Sequence, residues 1–249
     1  NGSFWERNNK IMYQERIGRV LAAMEQMGLE QMIVSDPDSI WYLTGYYVFP
    51  LERLFALYLR RDGKHKLFLN KLFPVPEVPY EQVWFSDTDD CVGMVAEQVD
   101  GSKPLGIDKE WPARFLLPLM AHNPGSRCVL ASACVDDARA RKDETERELM
   151  RAASRINDTV MERAVAFMRE GMMEREVADY IVAQYAAEGC DAVAFQPIVS
   201  FGPHAADPHH EADQTRLRAG DCIVIDMGCR KDRYCSDMTR TFFCGQPDP

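Results

Sequence analysis

Hydrophobic patterning changes character once along this chain, at the basic tract Ala138-Arg139-Ala140-Arg141-Lys142, and that change limits the folds open to it. Before the tract, helical and strand-like segments alternate. Residues 10–27 place Ile11, Ile17, Val20, Leu21, Met24 and Met27 at three- and four-residue steps, and Gly28 follows as a stop. A strand is predicted over 31–34, then a helix from about Ile40 capped by the Asp and Ser residues of 35–39. Strands are predicted over 54–59, 66–69, 105–107 and 127–130, and helices over 91–99 and 111–120. Such alternation implies an α/β layer structure with a largely covered sheet, placed at residues 4–138. After the tract, Asp143 and Glu146 have the spacing of a capping pair, opening a long helix that runs almost to Gly171. Val177, Ile181 and Tyr185 mark a second helix ending near Gly189. Residues 195–201, 222–226 and 234–243 then read as antiparallel strands, which makes 139–249 an α+β domain.

Composition excludes several classes. The 249 residues are 46% hydrophobic and 27% charged, which rules out disorder, collagen and coiled coil. The net charge is −10 and the basic residues are spread among acids, so neither nucleic acid nor an anionic membrane is an expected partner. No apolar stretch reaches the roughly 18 residues of a membrane span, and no export signal is visible. Asn1-Gly2-Ser3 stands where Met is usual and is set aside as a scar, a processed end or a fragment boundary. The eight cysteines form no C-x-x-C pair and read as reduced thiols of a cytoplasmic protein. Cys222, Cys229, Cys235 and Cys244 lack the close pairs of a structural zinc site. Motifs of phosphate loops, dinucleotide folds, H-E-x-x-H zinc helices and nucleophile elbows are absent.

Two constellations carry chemistry. Residues 222–243 hold two apolar runs flanking a polar turn, a hairpin pattern. With the turn centred between Lys231 and Asp232, Asp226 and Asp237 face each other directly. Opposed residues on one face lie about 4.5–5.5 Å apart at Cβ, and like charges there are destabilising. A divalent cation would compensate them, as would a shared proton; the pair also has a purely structural reading, as turn and capping residues. The second constellation is His204, His209 and His210 in a Gly/Pro-punctuated loop, read as metal ligands, proton-transfer groups, substrate contacts or incidental loop residues. His65 and His122 are expected at the surface.

Three motifs together carry a family resemblance. Pro197-Ile-Val-Ser-Phe-Gly-Pro-His-Ala-Ala-Asp-Pro-His209, Gly220-Asp-Cys-Ile-Val-Ile-Asp226-Met-Gly and Tyr234-Cys-Ser-Asp237-Met-Thr-Arg-Thr resemble the proline-specific metallopeptidases of the pita-bread fold, the Xaa-Pro aminopeptidase and Xaa-Pro dipeptidase (prolidase) group. Asp36-Pro-Asp-Ser-Ile-Trp-Tyr-Leu-Thr-Gly45 and Glu52-Arg53 are similar to that group's N-terminal domain. The resemblance implies a creatinase N-terminal-like α/β domain followed by an incomplete α+β pita-bread catalytic domain. It implies two divalent metal ions, Mn²⁺ first with Co²⁺ or Zn²⁺ as alternatives, whose first ligands are Asp226 and Asp237. It makes His209 a catalytic and substrate-binding residue, places His204 in the substrate site and gives His210 no role. A proline-containing peptide is the implied substrate and a homodimer the implied assembly.

The resemblance also implies one His and two Glu ligands downstream of the second Asp, whereas the twelve residues after Asp237 contain neither type. The chain is therefore expected to be part of a longer protein and to hydrolyse nothing alone. The rival expectations are a metal-free creatinase-like amidinohydrolase and a non-catalytic pita-bread binding module.

Overall fold

Strand β1 (Gln31–Val34) is buried at every position, which a strand achieves only when both faces of its sheet are covered. The computed structural model describes residues 4–74 and 80–246; Asn1-Gly2-Ser3 and the last three residues lie outside it. The chain divides into two units, residues 1–141 and 142–249.

In the first unit, α1 (Phe4–Gln26) ends at Gly28, whose φ of 69° is the left-handed stop that the sequence called for. After β1, Asp36 caps α2 (Pro37–Thr44) by accepting from the backbone N–H groups of Asp38 and Ser39, and Pro37 occupies the first turn. Then follow β2 (Ala56–Arg60), β3 (Lys66–Asn70), β4 (Glu81–Phe85), α3 (Cys91–Ala96), β5 (Leu105–Ile107), α4 (Ala113–His122), β6 (Cys128–Leu130) and α5 (Ala133–Ala140). The six-stranded sheet has the order β4-β3-β2-β1-β5-β6, antiparallel at β1/β2 and β2/β3 and parallel elsewhere.

Strand parity explains its two cores. Met32, Val34, Leu57 and Leu59 pack with α1, α2 and α5 on one face. Ile33, Ala56, Tyr58 and Ile107 pack with α3 and α4 on the other. Strand β4 and helix α5 were not anticipated. Residues 138–140, expected as connector, finish α5, with Ala138 in the first core. His65 is not a plain surface residue. It is half-buried, its Nδ1 accepts from the Arg60 N–H at 3.3 Å, and burial lowers its pKa. His122 is exposed.

In the second unit, Asp143 and Glu146 close a reciprocal capping box on α6 (Glu144–Phe167), and α7 (Glu174–Ala187) follows. The remaining elements are β7 (Ala192–Val193), β8 (Ile198–Phe201), a 3₁₀ turn (Gly202–Ala206), β9 (Cys222–Met227), β10 (Cys229–Lys231), β11 (Tyr234–Cys235) and β12 (Met238–Phe243). They form two three-stranded sheets, β12-β9-β8 and β11-β10-β7. Strand β9 alternates strictly. Ile223, Ile225 and Met227 enter a core with Val160 and Ala164 of α6 and Val177 and Ile181 of α7, while Cys222, Val224 and Asp226 take the opposite face. The sheet thus has one packed face and one face free to carry chemistry.

Candidate metal and substrate site

The hairpin turn is one residue later than its sequence suggests. Asp232 and Arg233 both have positive φ, 48° and 67°, and Lys231 pairs with Tyr234, the pattern of a two-residue primed turn whose twist matches the strands. Asp226 is therefore opposed by Thr239, and the expected direct facing of Asp226 and Asp237 does not occur. Moving a turn centre by one residue shifts the register by two, which preserves the face. Asp237 stands two residues before Thr239, so the carboxylates are diagonal neighbours on the face away from the core. Gly228 allows this crossing: a Cβ there would run into the Ser236 carbonyl.

Both aspartates line a cavity of about 720 Å³. Its walls also carry His209, His210 and Glu211 from the loop after the 3₁₀ turn, Phe195, Pro197 and Ile198 around the start of β8, and Arg175 and Asp179 of α7. Asp226 accepts a hydrogen bond from Thr239 Oγ1 at 2.8 Å, and among the described residues neither aspartate is ion-paired with Lys, Arg or His. Two uncompensated carboxylates on one face of one cavity are the donor set that a hard or borderline divalent cation suits. The end of β9 is held from behind. Asn157 Nδ2 donates to the Met227 carbonyl at 3.2 Å, and Asn157 Oδ1 accepts from the Tyr185 hydroxyl at 2.5 Å; burial pushes the Tyr185 pKa upward.

The histidines separate. His209 is exposed at the cavity, and its backbone N–H donates to Asp207 Oδ1 at 2.9 Å. His204, expected in the substrate site, is not among the cavity's lining residues: its Nδ1 is 3.0 Å from Glu174 Oε1. His210, given no role, lines the cavity and lies 2.7 Å from Glu174 Oε2 through its Nε2. The two rings sit 4.0 Å apart. Glu174, His204, His210 and Asp213 form a cluster whose ligand-type atoms all fall within 4.8 Å of one another. Hydrogen bonds from Thr215 hold the Asp213 pKa below the usual carboxylate range.

Sequence reasoning missed Glu174, although a signal existed. Glu174, Val177, Ile181 and Tyr185 follow one helical stripe, so Glu174 occupies a core-facing position, and its side chain is 0% exposed.

Comparison with known proteins gives a consistent picture. Residues 16–141 match the Creatinase/Prolidase N-terminal domain and residues 148–249 match Metallopeptidase family M24. An uncharacterized peptidase of Staphylococcus aureus is 31% identical over 239 residues, covering 93% of this chain and 67% of that protein. The crystal structure of a prolidase from Thermococcus sibiricus superposes with a TM-score of 0.87 at 31% identity, over 95% of this chain and 66% of the other. A dipeptidase from Mycobacterium ulcerans gives 0.87 at 33%, over 96% and 66%. The chain spans about two thirds of the length of these relatives.

Proposed function

Since the chain belongs to metallopeptidase family M24 and carries the creatinase/prolidase N-terminal domain, we propose that the protein containing it hydrolyses the peptide bond preceding proline, as an Xaa-Pro dipeptidase or aminopeptidase. The observation that carries this reading is the Asp226 and Asp237 pair, on one face of one cavity beside His209 and without a counter-cation among the described residues.

Asp226 and Asp237 would hold two divalent ions, Mn²⁺ in this reading, together with ligands from outside these 249 residues. When bound, the ions supply Lewis acidity toward the scissile carbonyl and acidify a water nucleophile. Thr239 fixes one oxygen of Asp226 by its hydrogen bond, which leaves the other oxygen's lone pairs for a cation. His209 binds substrate and stabilises charge that develops on the carbonyl oxygen, a task suited to an imidazole exposed at the cavity edge. Phe195, Pro197 and Ile198 offer an apolar wall for a proline ring. Eight free cysteines support the cytoplasm as the compartment, and the homodimer follows from the family resemblance. No helix among the described residues is long and apolar enough to cross a membrane.

The reading is tested by comparing Ala-Pro with Ala-Ala hydrolysis by the whole protein. Cleavage of Ala-Pro alone, lost on chelation and restored by Mn²⁺, is expected. Equal cleavage of both dipeptides, or of neither, contradicts it.

A further inference from the structure

Glu174 is absent from the cavity wall, yet its carboxylate gathers the loop that supplies His209. Oε1 accepts from the Phe201 N–H at 2.8 Å and faces His204 Nδ1 at 3.0 Å. Oε2 faces His210 Nε2 at 2.7 Å and accepts from the Asp213 N–H at 3.2 Å. These four partners span residues 201–213, from the end of β8 through the histidine loop. The same helix start is tied to the returning chain by Glu174 N–H to Thr215 O at 3.1 Å and Arg175 N–H to Asp213 O at 3.0 Å.

A ring nitrogen and a carboxylate oxygen approach this closely only with a proton or a cation between them. Ligand atoms bound at about 2.0–2.1 Å around a tetrahedral zinc stand roughly 3.4 Å apart. The observed 2.7 and 3.0 Å are hydrogen-bond lengths, shorter than a tetrahedral zinc would set, and as hydrogen bonds they have each imidazole donating to the acceptor-only carboxylate. With two backbone donors added, both oxygens of this fully buried group are satisfied.

We propose that Glu174 is the positioning residue for His209: a buried carboxylate that clamps residues 201–213 and so fixes where the His209 imidazole stands in the cavity. This rests on the role given to His209 above. The ring of His209 is exposed, so its placement comes from the backbone of a loop whose next residue, His210, is held by Glu174. A shift of about 1 Å at such a group costs on the order of 10²-fold in rate.

The test is a double-mutant cycle in the full-length, Mn²⁺-loaded protein. Glu174→Gln keeps the shape but turns an amide N–H₂ toward two donors, opening one side of the clamp. It is expected to lower kcat for Ala-Pro by about 10²-fold with bound metal unchanged, and by less than about 3-fold when placed on His209→Ala. Equal losses in both backgrounds, or no loss, overturn the proposal. His204→Ala removes one half-exposed contact and serves if Glu174→Gln fails to fold; its smaller loss, about 5-fold, must also vanish on His209→Ala. Should the parent cleave no Xaa-Pro bond, the proposed function fails and the clamp is read by NMR of the metal-free full-length protein. There Glu174→Gln is expected to broaden or split the His209 imidazole resonance while the Val177 and Ile181 methyl signals persist; an unchanged His209 resonance overturns it. Stoichiometric Zn²⁺ binding abolished by His204→Ala but not by Asp226→Asn would also overturn it, by assigning the cluster to a metal.

Discussion

His209, His204 and His210 lie within seven residues, and only their surroundings distinguish them. His209 follows Pro208 and has an exposed ring, whereas the other two converge on a carboxylate that lies 30 and 36 residues earlier. Local sequence records a histidine-rich loop but not a partner on a preceding helix, so it leaves the three histidines alike, and the family resemblance alone places His204 in the substrate site and gives His210 no role. The aspartates were legible because strand periodicity is local and strict: any register that keeps parity puts Asp226 and Asp237 on one face. In the full-length protein, His209→Ala is expected to lower kcat by about 10²-fold or more while leaving bound metal unchanged, as befits a lost electrostatic or proton-transfer contact. A near-wild-type kcat would remove His209 from the mechanism.

Among the elements, the hairpin of β9 to β12 shows where pattern and chemistry part. Two-residue primed turns are signalled by Asn-Gly or Asp-Gly, whereas here Asp232-Arg233 adopts positive φ at both positions without glycine. Nothing in the residue types marks that centre, so the sequence pattern puts the turn one residue early. The missed β4 has the same kind of cause. Glu81 is exposed, Gln82 to Trp84 are half-buried and only Phe85 is buried, as expected of an edge strand without a clear apolar period. Gly228 is the other element-level determinant, needed for a close backbone crossing and not for its φ. Gly228→Ala is expected to destabilise the chain by about 3 kcal/mol, the upper part of the overpacking range, because the obstruction is a backbone carbonyl. Urea denaturation of the 249-residue chain checks this; a change under about 0.5 kcal/mol, the size of an ordinary surface substitution, would show that the crossing is loose.

At the level of the whole molecule, the alternating first unit and the helix-then-strand second unit were readable because each pattern reflects how many faces of its sheet are covered. The division falls after α5 and not within it, since Ala138 belongs to the first core. The second unit contributes a scaffold with one packed face and one working face, two carboxylates on the latter, and a loop that brings His209 to the same cavity. Two oxygen-bearing side chains fall short of the full coordination of a divalent ion, and these 249 residues supply no His or Glu after Asp237. In the proposed function, Asp226 and Asp237 hold the metal on which Xaa-Pro hydrolysis depends. Calorimetric Mn²⁺ binding by the full-length protein and by its Asp226→Asn and Asp237→Asn variants, alongside Ala-Pro turnover, decides whether they do. Each substitution is predicted to weaken Mn²⁺ binding by about 10²-fold or more, at least what losing an outer-shell partner costs, and to abolish turnover at limiting metal. Wild-type Mn²⁺ affinity in both variants, or full turnover by metal-stripped protein, would contradict the account.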